Sequence, residues 1–289
     1  MARLLKHFEY LEPGTVDEAV QLLAKYGDKA KVLAGGTDLL ISMKKRQIIP
    51  KYVVYIKGIP ELDYIQYSQE AELRIGALAI HSAIADSPIV RDKFGLLAAA
   101  CGKVGTPQVR NMGTIGGNIC KGGPSQDSIP PLLVLDAKLK LISPSGERIV
   151  PINEFFTGPF KTALQEAELL TEVQIPTPPP RSAGCYKWAT KITTVDETLV
   201  GVAVLMALDA TGGICSDIKI ALCSVAPTPS RARRAEEVLR GKKVDSKLIE
   251  QAAQVAAEEA KPRSRADYRR RMTRVLVTET INETWQKIK

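Results

Sequence analysis

Residues 176–180 read Pro-Thr-Pro-Pro-Pro, and no other feature restricts the fold as strongly. Proline has no backbone N–H and a locked φ, so neither a helix nor an inner strand passes through such a run. The 289-residue chain is therefore expected to divide into residues 1–176 and 177–289, in line with about two domains for this length.

Before the break the texture is α+β. Thr15 and Glu18 form a capping box, and Val16, Ala19, Val20, Leu22 and Leu23 give the following helix its buried side, up to Gly27. Lys31-Val32-Leu33-Ala34, Tyr52 to Ile56 and Leu73-Arg74-Ile75 read as strands, and Phe94 to Cys101 as a helix. Lys138 to Ile142 alternates like a half-buried strand and returns through Ser143-Pro144-Ser145-Gly146 as Arg148-Ile149-Val150. Leu169 to Ile175 is the last strand before the prolines. Beyond them Gly201–Leu208 and Ile218–Val225 are strand-like, and Ser230–Leu239, Ser246–Ala260 and Ala266–Trp285 are helical. A smaller domain follows, with a three-stranded antiparallel sheet covered by helices.

Composition narrows the function. Hydrophobic residues are 45% and charged residues 25%, an ordinary globular balance. Five cysteines without a CxxC pair, and two histidines, do not suggest a protein-ligated zinc or iron–sulfur cluster, so no metal site is expected. The N-terminus lacks the apolar core of a signal peptide and no run approaches a membrane span, which makes a cytoplasmic chain the expectation. The formal charge of +8 is densest at Arg263, Arg265, Arg269, Arg270, Arg271 and Arg274. Aromatic residues are 5%, too sparse for a base-stacking platform. The arginines share a stretch whose Tyr268, Met272, Val275, Leu276 and Thr280 fit one helix face, so a solvated face or a protein interface is favoured over nucleic acid. His7 and His81 read as structural or surface residues.

The chain has no Gly-x-Gly at all, hence neither a Rossmann fingerprint nor a P-loop. Two other glycine pairs have polar company: Ala34-Gly35-Gly36-Thr37-Asp38 after a strand, and Thr114-Ile115-Gly116-Gly117-Asn118 after the polar stretch from Thr106. Paired glycines permit positive φ and let backbone N–H groups converge on an anion. Thr37, Thr114 and Asn118 would add side-chain donors, and a pyrophosphate has acceptors enough for both loops. Each pair also reads as a tight turn. Gly122-Gly123 and Gly212-Gly213, without such neighbours, read only as turns.

Ala34-Gly35-Gly36-Thr37-Asp38-Leu39, the run from Pro107-Gln108-Val109-Arg110-Asn111 through Asn118, and Asp127 with its apolar sequel resemble the FAD-binding medium subunits of the molybdenum hydroxylases, which include xanthine dehydrogenase and aerobic carbon monoxide dehydrogenase. The likeness spans essentially the whole chain, with Cys185-Tyr186-Lys187-Trp188 just past the linker. Val150 to Asn153 and Phe155 to Pro159 look most like bacterial xanthine dehydrogenase subunits. The resemblance implies a vanillyl-alcohol-oxidase (PCMH-type) fold, in which two α/β subdomains hold an extended FAD. It places Val32, Leu33, Ala34, Gly35, Gly36, Thr37, Asp38 and Leu39 in a first pyrophosphate loop. Thr114, Ile115, Gly116, Gly117 and Asn118 form the second. Val104 would face the ring, where some relatives carry an aromatic residue, and Leu170 would line its pocket. Asp127 would bind a sugar or ribityl hydroxyl, although alone it reads equally as a cap on the turn at Pro130-Pro131. Lys187 would reach the flavin from the second domain, although alone it reads as a solvent-facing strand lysine.

It further implies an electron-transfer subunit with no catalytic acid or base of its own. A large molybdenum-cofactor subunit and a small [2Fe-2S] subunit would be its partners, as a dimer of heterotrimers. Electrons would leave the FAD for NAD+ or another acceptor. Cys120 reads as a small buried thiol. The rival readings are a stand-alone flavin reductase on the same fold and a basic nucleic-acid-binding or scaffold protein.

Overall fold

The computed structural model describes residues 4–68, 72–192, 197–210 and 212–288. Strands β1 (Glu9–Leu11), β2 (Ala30–Leu33) and β3 (Tyr52–Tyr55) form a parallel sheet in the order β1-β3-β2. Parallel neighbours need crossovers, supplied by helices α1 (Val16–Tyr26) and α2 (Leu39–Lys44). The expected cap is present: Thr15 Oγ1 accepts the Glu18 N–H at 3.1 Å. Val16, Ala19, Val20 and Leu23 are buried, and the helix stops at Gly27, whose φ is 53°.

A five-stranded antiparallel sheet follows. Its strands are β4 (Ile65–Tyr67), β5 (Glu72–Gly76), β6 (Lys138–Ser143), β7 (Gly146–Pro151) and, after the small hairpin β8 (Phe156–Gly158) and β9 (Lys161–Thr162), β10 (Leu169–Pro176). The order is β4-β5-β10-β6-β7. The central strand β10 is buried from Leu169 to Ile175, its Thr171, Glu172 and Gln174 included, and Glu172 accepts from Tyr64 Oη at 2.5 Å and from Gln174 Nε2 at 2.6 Å. Between β5 and β6 lie α3 (His81–Asp86), α4 (Pro88–Lys93), α5 (Gly95–Lys103), α6 (Pro107–Arg110), α7 (Ile115–Lys121) and α8 (Ile129–Val134); α9 (Ile152–Phe155) follows β7. Helix α5 covers the segment expected from Phe94 to Cys101, with Phe94 itself buried as the residue before it.

Past the prolines, β11 (Ser182–Ala189), β12 (Val200–Leu208), β13 (Cys215–Cys223) and β14 (Ser230–Arg231) form one antiparallel sheet. The two-residue β14 makes it four strands where three were expected; two residues carry no period to read. Every residue of β12 is buried. Ala203 and Leu205 join the core of the first domain, whereas Val202, Val204 and Met206 join the core beneath the C-terminal helices. Helices α10 (Arg233–Leu239), α11 (Ser246–Glu259) and α12 (Ala266–Ile288) build that second core.

Helix α12 presents the expected face only in part: Leu276 and Thr280 are buried and Met272 packs against the core. Tyr268 and Val275 are exposed, while Thr273, Leu276, Val277, Thr280, Ile281 and Thr284 are buried. Threonine can occupy a core face here because Thr273, Thr280 and Thr284 each donate to the carbonyl four residues back, at 2.8, 2.5 and 2.7 Å. Much of the arginine cluster is structural too. Arg269 Nη1 donates to the Leu199 and Ser224 carbonyls, and Arg274 pairs with Glu250 at 3.1 Å. No helix among the described residues is long and apolar enough to cross a membrane.

Candidate functional site

The two glycine loops meet. A Cβ built on Gly35 would lie 2.0 Å from the Met112 carbonyl oxygen and 3.0 Å from Gly113 Cα, so the backbones touch at a point where only glycine fits. Gly36 takes φ +74°, the left-handed region, to turn the chain from β2 into α2. Across the contact, Thr114 caps α7 by accepting the Gly117 N–H at 3.1 Å. Gly116 lies against the Ala77 carbonyl, 2.7 Å from where its Cβ would stand. Lys121 and Asp38 tie the loops together at 3.3 Å.

The loops differ in what they offer an anion. In the second, the N–H groups of Ile115, Gly116, Gly117 and Asn118 are bound to Ala79 O, Ala77 O, Thr114 Oγ1 and Thr114 O. Among the described residues, the N–H groups of Gly35, Gly36, Thr37 and Asp38 make no hydrogen bond within the protein. The expectation that both glycine pairs present open amides therefore holds for the first pair alone. Capping and close packing consume those of the second.

Between the loops is a cleft of about 290 Å³. Val32, Ala34 and Gly35 through Leu39 line one side, and Thr114, Gly116, Gly117 and Asn118 the other. Val104 and Leu170 add apolar wall. Leu33 and Ile115 face elsewhere: Leu33 packs under Gly36, and Ile115 lies in the core. Val104 is held in place by Arg110, whose Nη1 donates to the Val104 and Gly105 carbonyls at 3.0 Å each.

Asp127 and Lys187 do not line the cleft. Asp127 Oδ1 accepts from Tyr186 Oη and Thr198 Oγ1, both at 2.6 Å, joining the two domains. Burial raises its pKa, opposed by those two bonds and by Lys103. Gly201 makes the contact possible, because a Cβ there would lie 2.7 Å from Tyr186 Oη and 2.5 Å from Cys223 Sγ. Asp127 still adjoins the cleft through its neighbours: Gln126 and Ser128 bond Asn118 at 2.9 and 2.7 Å. Since Tyr186 faces Asp127, strand alternation turns Lys187 to the opposite face. There it pairs with Glu283 at 3.0 Å and Glu279 at 3.8 Å of α12.

Sequence reading missed two parts of the wall. His81 lies on the cleft, with 1% of its surface exposed. Glu168 lines it too, held by Arg148 at 2.6 and 2.8 Å while Arg148 also bonds the Ala163 carbonyl at 2.8 Å. Neither has a local signal, since each lies tens of residues from the glycine loops. Cys120 also borders the cleft, its thiol pushed up to about 12 by burial, which removes it as a nucleophile. The described residues hold no cluster of three metal-ligating side chains.

The Arg148 hydrogen bonds hold the Glu168 carboxyl below its ordinary value of 4.5. A carboxylate with a lowered folded pKa contributes stability above its unfolded value and loses it as pH falls through the folded one. The stability difference between wild type and Glu168→Gln is therefore expected to be constant near neutrality and to shrink below pH 4.5. Denaturation across that range measures it, and a gap that persists into strong acid would show that the pair is not what holds this wall.

An FAD-binding domain of molybdopterin dehydrogenases matches residues 6–178, and a CO dehydrogenase flavoprotein C-terminal domain matches residues 185–284. The chain is 37% identical over 284 residues to the carbon monoxide dehydrogenase medium chain of Hydrogenophaga pseudoflava, covering 97% of this chain and 98% of that one. It is 35% identical over 257 residues to the xanthine dehydrogenase FAD-binding subunit of Escherichia coli O157:H7, covering 88% and 87%. The solved carbon monoxide dehydrogenase of H. pseudoflava superimposes with a TM-score of 0.93 at 37% identity, covering 98% and 99%. Quinoline 2-oxidoreductase from Pseudomonas putida 86 gives 0.91 at 28% identity, covering 99% of each chain. The chain belongs to the FAD-binding medium subunits of the molybdenum hydroxylases, an oxidoreductase subunit of the α+β flavoprotein fold.

Proposed function

We propose that this chain is the electron-exit module of a xanthine dehydrogenase-like or carbon monoxide dehydrogenase-like complex, with residues 1–176 holding FAD and residues 177–289 buttressing them. The observation that carries the reading is the row of unbonded N–H groups from Gly35 to Asp38 along the cleft. An amide row with the Thr37 hydroxyl beside it suits a doubly charged pyrophosphate. Thr114 and Asn118 would complete the polar wall from the second loop, and Val104 with Leu170 would give the ring an apolar one. Gln126 and Ser128 support Asn118 from behind, Asp127 links the domains, and Lys187 serves the α12 interface.

Bound flavin supplies the redox chemistry, taking electrons from [2Fe-2S] clusters of a small partner subunit and passing them to NAD+ or another acceptor. This chain's share is orientation and exclusion of water. No side chain of the cleft is required to move a proton: Cys120 stays protonated, and burial holds His81 neutral. Substrate oxidation falls to the large molybdenum subunit, in a cytoplasmic dimer of heterotrimers.

Native purification, followed by identification of the released cofactor and of every co-purifying chain by mass spectrometry, tests the whole reading. FAD with a large and a small subunit is the expected result. FAD with this chain alone would replace the reading with a stand-alone reductase, and a flavin-free native complex would overturn it.

A further inference from the structure

His81 begins α3, and its backbone N–H donates to the Gly113 carbonyl at 3.1 Å, so the residue is pinned to the second loop. Its side chain is 1% exposed, yet Nδ1 is enclosed without a hydrogen-bond partner. An unpaired buried N–H is rarer in folded proteins than an under-satisfied acceptor. The favoured tautomer therefore leaves Nδ1 bare and carries the proton on Nε2. Burial, with Arg110 nearby, pushes the imidazole pKa down to about 4, so the ring is neutral at physiological pH.

The ring's orientation decides where that proton points. A Cβ placed on Gly113 would stand 3.5 Å from His81 Cδ2 and 3.4 Å from Thr37 Oγ1. Cδ2 and Thr37 Oγ1 thus lie against the same point of Gly113, at the junction of the two loops, and the ring lines the cleft there. A neutral donor suits this place. It adds a hydrogen bond without the desolvation cost of a buried cation or its repulsion with Arg110 nearby.

We propose that His81 donates a hydrogen bond from Nε2 to a phosphate oxygen of the bound dinucleotide, as a binding residue supplied by a third segment between the glycine loops. This rests on the reading that the cleft takes FAD. A hydrogen bond to a charged acceptor contributes roughly 1.5–3 kcal/mol.

The test titrates the flavin-free full chain with FAD, ADP and riboflavin, as wild type, His81→Leu and His81→Gln. His81→Leu is expected to weaken FAD and ADP about tenfold or more, with riboflavin unchanged. His81→Gln, which restores an N–H donor, is expected to recover most of the loss. Flavin-free His81→Leu should melt no lower than wild type, since it removes an unpaired buried polar group. Wild type that binds FAD while His81→Leu binds it within about twofold overturns the role of His81 alone. Wild type that binds neither FAD nor ADP overturns the cofactor reading itself. A second measurement needs no substitution. His7 and His81 are the only histidines, so long-range imidazole correlations in 15N-labelled protein report directly. Addition of ADP should move the His81 Nε2 resonance, and an unmoved resonance with ADP bound sinks the proposal.

Discussion

Alanine at Gly35 is expected to cost about 100-fold or more in FAD affinity, measured by fluorescence titration of the flavin-free chain. The added Cβ would stand 2.0 Å from the Met112 carbonyl oxygen and 2.7 Å from its carbon. Both are backbone atoms, so no side-chain rotation relieves the clash and the two loops must part. Overpacking of this kind costs about 1–3 kcal/mol where neighbours can yield; against backbone on both sides the upper end applies, and about 3 kcal/mol corresponds to 100-fold. Parting the loops also moves the open amides of Gly35 to Asp38 away from Thr114 and Asn118. Gly95→Ala is the matched control, since a Cβ there meets nothing within 4 Å. Retention of flavin by Gly35→Ala at the wild-type level would mean that the loop contact does not shape the site.

The largest stability effect is expected in the C-terminal domain, at Arg231→Ala. Glu236 is 1% exposed and accepts from Arg231 Nε at 2.8 Å, Arg231 Nη2 at 2.7 Å and the Ile220 N–H at 2.9 Å. Removing the arginine leaves a buried carboxylate with one backbone donor and Arg240 at 3.6 Å. Breaking a buried pair costs about 3–5 kcal/mol, or roughly 6–20 °C in the melting temperature at 2–4 °C per kcal/mol. Arg231 also approaches Asp136, which Lys219 pairs with as well, so the loss should reach the contact between the domains. Replacing both partners by apolar residues, Arg231→Leu with Glu236→Leu, should recover much of the loss, because the penalty lies in the orphaned charge. Calorimetry of the three proteins separates these cases. A melting temperature for Arg231→Ala within about 2 °C of wild type would show that solvent reaches Glu236 after all.

Much of the architecture was legible because it rests on local chemistry. The Thr15 cap, the stop at Gly27, the hairpin around Gly146 and the end of β10 at Pro176 all follow from a few adjacent residues. Helix α12 was legible as a helix, but its buried face only in part, with Met272, Leu276 and Thr280 inward and Tyr268 and Val275 exposed. Apolar periodicity did not pick out Thr273 and Thr284, which satisfy their own hydroxyls and then pack as core. The short strand β14 escaped notice because two residues have no pattern.

The same division applies to the cleft. That two glycine pairs stand among Thr, Asn and Asp is written in the order of residues, and so is the likeness to one flavoprotein family. Which pair keeps its amides open was settled in space, because Ala77 and Ala79 lend their carbonyls to the second loop and, among the described residues, no acceptor takes the N–H groups of Gly35 to Asp38. Lys187 turns away from the cleft because Tyr186, one residue earlier on an alternating strand, takes the inward side to meet Asp127. His81 and Glu168 reach the wall from segments far from either glycine pair. The sequence alone determined most of the elements, the end of β10 at the prolines and the two glycine pairs with their polar neighbours, since these depend on backbone conformation and short-range bonding. Tertiary structure decided which donors remain free and which side chains face the cleft, since packing between distant segments consumes some hydrogen-bonding groups and leaves others open.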